Sequence, residues 1–87
     1  MYPQMPLTKF QIENAKPREK AYKLGDSGGL FLYVHPNGGR YWRFKYRYLG
    51  KEKTLSLGVY PDITLADARS KRDAARRELH VHERDPG

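Results

Sequence analysis

The sequence predicts an α+β domain, a three-stranded antiparallel sheet packed against a C-terminal α-helix, with a short N-terminal helix. Two observations carry that prediction. Between Tyr41 and Leu49, aromatic residues at Trp42, Phe44, Tyr46 and Tyr48 alternate with cations at Arg43, Lys45 and Arg47. Alternation by two is strand periodicity, because successive side chains of a strand point to opposite faces. From Thr64, a capping pattern opens a long segment in which Leu65, Ala68, Arg72, Ala75, Leu79 and His82 share one helical stripe.

The elements follow in order. Residues 1–7 read as a flexible arm ahead of a domain spanning 8–84. Thr8-Lys-Phe-Gln11 has the form of a capping box, so a helix runs from Lys9 to about Ala15, where Pro17 prevents continuation. Phe10 and Ile12 would fasten it to the core. Gly25-Asp-Ser-Gly-Gly29 is turn chemistry leading into the strand Leu30 to Val34, and Pro36-Asn-Gly-Gly39 returns the chain into the aromatic strand. A turn centred on Gly50-Lys51 leads to a third strand, Lys53 to Leu57.

Register fixes the faces, since a one-residue slip would invert every side chain. Pairing Val34 with Trp42, Tyr46 with Leu55 and Phe44 with Leu57 gathers Leu30, Leu32, Val34, Trp42, Phe44, Tyr46, Leu55 and Leu57 on one side. The other side carries Phe31, Tyr33, Tyr41, Arg43, Lys45, Arg47, Thr54 and Ser56. The apolar side needs a cover, which the helix from Leu65 to about Glu83 provides. Thr64 caps it with Asp67 at the third position, where a carboxylate suits the helix dipole. Its alanines allow close approach, and Arg72 is expected to lay its stem on the aromatics with its head in water. Asp85-Pro86-Gly87 begins a linker to further domains.

Composition narrows function. The 87 residues make one domain and contain no cysteine, which removes disulfides and thiolate metal sites. No apolar run has the pattern of a signal peptide or a membrane span, so the expectation is a cytoplasmic protein with no membrane partner. His80 and His82 point in different directions on a helix and make a poor metal site. The Gly25 to Gly29 segment lacks the ending of a phosphate loop, and no tyrosine has a base at a recognisable spacing. The chain is therefore read as a non-enzyme without cofactors.

Seventeen Lys and Arg against ten Asp and Glu give a net charge of +7. From Arg40 to Lys53, Glu52 alone opposes six of these cations, the footprint of a polyanion binder, most often nucleic acid. The alternative is a solvated surface that serves solubility. A twisted antiparallel sheet can enter the DNA major groove, where Arg and Lys reach guanine acceptors. Arg43, Lys45, Arg47, Thr54 and Ser56 are the contact candidates on that face. Tyr33 and Tyr41 add phosphate or base contacts, and Arg40, Lys51 and Lys53 add flanking charge.

Several motifs in order, Asp26-Ser-Gly-Gly-Leu-Phe-Leu-Tyr-Val34, Trp42-Arg-Phe-Lys-Tyr-Arg47, Gly50-Lys51, Lys53-Thr-Leu-Ser-Leu-Gly58, Tyr60-Pro61 and Leu65-Ala-Asp-Ala-Arg69, resemble the N-terminal DNA-binding domain of prophage and genomic-island integrases. These are tyrosine recombinases. The resemblance runs from about Leu7 to Pro86 and departs at His80-Val-His-Glu-Arg84, which is more polar than that family's approach to its linker. It implies sequence-specific binding of duplex DNA at arm-type sites through the sheet, with the catalytic Arg, His and Tyr in a later domain. Implied partners are that DNA, the downstream integrase domains, other integrase protomers and a directionality factor. Two other readings stand beside it: a module docking on the rest of the integrase or on a directionality factor, and a single-stranded nucleic-acid binder stacking bases on Phe31, Tyr33 and Tyr41.

Overall fold

The computed structural model describes residues 6–80 and 83–87. Its elements in chain order are α1 (Lys9–Glu13), β1 (Tyr22–Gly25), β2 (Leu30–Val34), β3 (Arg40–Tyr48), β4 (Lys51–Val59) and α2 (Leu65–His80). The strands form one antiparallel sheet in the order β1-β2-β3-β4. The fold class is the expected α+β, but the sheet has four strands where the sequence suggested three. The addition is β1, which pairs Tyr22 with Val34 and Gly25 with Phe31. It turns β2 into an inner strand, as befits a segment whose residues are nearly all buried.

Both hairpins differ from the expected register by two residues. His35 donates its amide to the Gly39 carbonyl at 2.8 Å, so the loop closes early and Val34 faces Arg40, leaving Leu32 opposite Trp42. At the second hairpin the turn centre is Leu49-Gly50, with φ of 51° and 77°. A two-residue turn with both centres left-handed matches the twist of its strands, and glycine is best placed at the second position. Tyr46 therefore faces Lys53, and Phe44 faces Leu55. A shift of two preserves parity, so the two faces keep their assigned residues.

An irregularity interrupts the β3–β4 ladder between Trp42 and Arg43, where Trp42 faces Gly58 and Arg43 faces Ser56. The bulge coincides with the densest part of the core. Trp42 is fully buried and donates its indole N–H to the Ile63 carbonyl at 2.7 Å. Gly58 makes this possible: a Cβ there would lie 2.4 Å from Ile63 Cγ1. Around Trp42 gather Leu7, Ile12, Leu30, Leu32, Val34 and Ala68. A second cluster of Phe44, Tyr46 and Ala75 continues the core towards the β3–β4 turn. Ala68 and Ala75 are the two buried residues of α2, so the small side chains do face the sheet.

The caps agree with the sequence. Thr8 and Gln11 form a complete capping box on α1. Thr64 accepts from the Asp67 amide at 3.2 Å, and Asp67 accepts in return from the Thr64 amide. The expectations for three side chains and both helix ends need correction. Phe10 is 75% exposed, and Ile12 alone anchors α1. That helix stops at Glu13, because Asn14 turns back to bond the Phe10 carbonyl through its own amide and its side chain. The second helix is described over Leu65–His80 and does not include Glu83, which has a left-handed φ of 54°. His82 lies outside the described residues, as do residues 1–5 of the arm. Leu7, the arm's last residue, is buried.

The third correction concerns Arg72, whose head is not in water. Its Nη1 donates to Asp26 Oδ2 at 3.1 Å and to the Ser27 carbonyl at 2.8 Å, and its side chain is only 12% exposed. Asp26 is fully buried and holds two arginines. Arg69 makes a two-pronged contact through Nε and Nη2 at 3.1 and 3.0 Å, the geometry in which guanidinium and carboxylate pair best. The Leu7 amide donates to the same carboxylate at 2.8 Å, and Arg69 returns a bond to the Leu7 carbonyl. Burial pushes the Asp26 carboxyl up, but the Arg69 hydrogen bond, the Leu7 amide and the charges of Arg69 and Arg72 outweigh it and hold it below the ordinary range. The same hydrogen bond raises Arg69 further.

A carboxyl with a depressed folded-state value contributes stability that is complete above its unfolded value, near 3.8, and is lost as pH falls towards the lower folded value. Urea unfolding of the wild type should therefore show stability falling steeply below pH 4, with the Asp26 share of that slope absent in Asp26→Asn. Asp26→Ala takes the shared carboxylate from two guanidinium groups, leaving Arg72 only its Asp73 ion pair, and should cost about 3 kcal/mol at neutral pH. That is the lower end for breaking a buried pair, because Arg69 keeps about a third of its side chain exposed.

Candidate nucleic-acid interface

The outer face of the sheet, opposite α2, is built from alternate residues of every strand. β3 supplies Tyr41, Arg43, Lys45 and Arg47, and β4 sets Ser56 across from Arg43, Thr54 from Lys45 and Glu52 from Arg47. β2 adds Phe31 opposite Arg43 and Tyr33 opposite Tyr41, while β1 adds Lys23 opposite Tyr33. Lys45, Arg47, Thr54 and Ser56 are exposed, and Arg43 and the two tyrosines are half-buried.

The half-burial of Arg43 has a cause. Its guanidinium lies 4.4 Å from the Tyr33 ring centroid, and Lys23 Nζ lies 4.9 Å from that of Phe31. These cation–π contacts cap the rings that a stacking base would need, and they tie two cations to the sheet surface. Tyr41 is positioned by the hairpin beneath it, since a Cβ on Gly39 would fall 2.3 Å from its hydroxyl. His35 lies edge-on to the Tyr41 ring at 6.5 Å.

The sequence-predicted residues divide between the faces. Arg43, Lys45, Arg47, Thr54, Ser56, Tyr33 and Tyr41 come together as expected. Arg40, Lys51 and Lys53 do not join them. Arg40 shares the parity of Trp42, bonds the Ile12 carbonyl at 3.1 Å and covers the Tyr60 ring at 4.9 Å. Lys51 is opposite Tyr48 and Lys53 is opposite Tyr46, both on the core parity. Lys53 pairs with Asp85, which also accepts from the Tyr46 hydroxyl at 2.5 Å and the Gly87 amide at 2.9 Å. The Lys53 ammonium, then the Tyr46 hydroxyl and the Gly87 amide, hold the Asp85 carboxyl at about 2. Burial, then the bond to Asp85, pushes the Tyr46 hydroxyl up to about 12. The residues after α2 are thus folded back onto the sheet's helix side.

Two outer-face residues escaped sequence reasoning. Lys23 was missed because β1 has only four residues, although a short, lysine-bearing strand is typical of a sheet edge. Glu52 was counted against the loop charges, yet it reaches Lys45 Nζ at 2.5 Å. With both partners about half exposed, that pair contributes only about 0.2–1 kcal/mol and can open to other ligands.

Residues 7–87 match the arm DNA-binding domain family. The chain is 52% identical to an integrase of Enterobacteria phage P4 over 81 residues, covering 91% of this chain and 18% of that protein. It is 49% identical to the prophage integrase IntS of Escherichia coli K12 over 75 residues, covering 86% and 20%. Prophage integrase IntA of the same strain is 41% identical over 83 residues, covering 93% and 20%. The chain thus spans about a fifth of the length of the curated relatives it matches. No helix among the described residues is long and apolar enough to cross a membrane.

The geometry makes the outer face separable from the fold. Arg43→Ala should destabilise by about 0.5–2 kcal/mol in urea titration, the worth of one half-buried cation–π contact.

Proposed function

The chain belongs to the arm DNA-binding domain family, and from that premise we propose that it binds duplex DNA sequence-specifically through the outer face of β3 and β4. Its target would be an arm-type site, and its task to position a site-specific recombinase for integration or excision. The parent is read as a tyrosine recombinase with its catalytic Arg, His and Tyr in a later domain, so this chain would hold DNA without cleaving it.

The row of Arg43, Lys45 and Arg47, flanked by Thr54 and Ser56 and covered by no other element among the described residues, carries the reading. A major groove admits a two-stranded ribbon, and these side chains are of the types that bond to guanine acceptors and to phosphates. The capped faces of Phe31 and Tyr33 argue against single-strand stacking. Docking on other integrase domains has its own support in the exposure of Phe10, and is compatible with DNA on the opposite face.

Fluorescence anisotropy with duplex probes tests this. Arg43→Glu or Arg47→Glu should abolish binding with an unchanged circular-dichroism spectrum, and Glu52→Gln should tighten it by releasing Lys45. If Lys23, Arg43, Lys45 and Arg47 each neutralise a phosphate, the slope of log affinity against log salt should be roughly −3 to −4. Unchanged affinity in both glutamate variants would remove this face from the reading.

A further inference from the structure

The last pair of the β2–β3 ladder is Leu30 with Phe44. Gly29 then accepts from the Lys45 amide at 2.9 Å, after which β3 runs on to Tyr48 paired with β4 alone. Where the sheet narrows to two strands, its flank opens on a cleft of about 300 Å³ lined by Gly28, Gly29, Lys45, Arg47, Arg76 and His80. No carboxylate lines it among the described residues. Lys45 and Arg47 belong to the outer face, and Arg76 and His80 come from the last turns of α2.

Four arginines lie on α2. Arg69 and Arg72 are both committed to Asp26, whereas Arg76 and Arg77 have no ion pair among the described residues, and of these two it is Arg76 that lines the cleft. Its guanidinium lies against Gly28, so close that a Cβ there would be 2.6 Å from Nη1. The cleft therefore collects positive charge from two elements, and of its cations Lys45 alone has an ion pair among the described residues, to Glu52.

Groove dimensions indicate what meets it. A major groove is about 12 Å wide and takes a two-stranded ribbon, with strands about 4.8 Å apart. The end of this sheet that fits most deeply is the one where β2 has stopped, from Lys45 to Thr54, with Arg43 and Ser56 at its base. With that ribbon in the groove, the sugar-phosphate wall rises along the bare flank of β3, where the cleft lies.

We propose that this cleft grips a backbone phosphate of the bound duplex, on the groove wall beside the β3–β4 ribbon, with Arg76 as the principal donor and Arg47 and His80 beside it. The assignment rests on reading the outer face as the duplex-binding face. It extends the interface around the sheet edge to α2, an element that otherwise serves only the core. A phosphate contact carries no base information, so its contribution is the same on every sequence.

The test is anisotropy on 30-base-pair duplexes, one A·T-rich and one G·C-rich, across a salt series, for wild type, Arg76→Gln, Arg43→Gln and Lys71→Gln. Lys71 lies about 140° around the helix from Arg76 and serves as a charge-matched control. Arg76→Gln should weaken binding to both duplexes by the same factor and reduce the salt slope by about 0.9, with helical circular dichroism retained and Lys71→Gln unchanged. His80→Gln should show a smaller loss of the same kind. Equal losses in Arg76→Gln and Lys71→Gln would reduce the effect to general charge and overturn the site. If Arg43→Gln loses affinity while Arg76→Gln does not, the cleft is excluded and the outer-face reading stands. Loss in Arg76→Gln with none in Arg43→Gln would overturn the ribbon placement and this site with it.

Discussion

The buried carboxylate of Asp26 is the constraint on which the arrangement depends. One side chain in the β1–β2 turn joins Leu7 of the N-terminal segment and Arg69 and Arg72 of α2. A charge out of water is tolerable only when its partners satisfy it with good geometry, so these three segments must be placed together. With α2 fixed by its arginines, Ala68 and Ala75 meet the sheet, and the aromatic side of β3 is covered. Among the described residues no element covers the opposite side, and the basic row is available there.

Much of this was legible in the sequence, for a specific reason. Strand side chains alternate with a period of two, and both hairpin registers were displaced by two. The pairs were wrong and the faces right, because the alternation in Trp42 to Arg47 is strong enough to fix parity without fixing partners. The same parity already assigns Arg40 to the Trp42 side, so grouping it with the outer row by proximity in sequence ignored a signal that was present. Lys53 is the harder case, because its side follows from the turn centre at Leu49-Gly50. Leucine is a poor residue for a left-handed position, and nothing but Gly50 marked that turn.

The Asp26 network was not legible. In its Gly25 to Gly29 setting, Asp26 reads as turn chemistry, and an arginine in an apolar stripe reads as a stem with a solvated head. Their bond spans 46 residues and requires knowing that the β1–β2 turn lies over α2. That in turn requires β1, whose four residues are too few for a periodic signal. The overlooked strand and the overlooked ion pairs are thus one omission. Adding the edge strand brings the turn, the buried carboxylate and the helix into register together.

The two sides of β3 have separate duties, the core on one and, as proposed, duplex DNA on the other. An amide nitrogen–proton correlation spectrum of the labelled protein, titrated with duplex DNA, tests it residue by residue. The largest shifts should fall on Arg43, Lys45, Arg47, Thr54 and Ser56, with the Lys9–Glu13 helix and the Tyr60 to Leu65 connection unchanged. Shifts concentrated on that helix and connection, with the outer row silent, would contradict it.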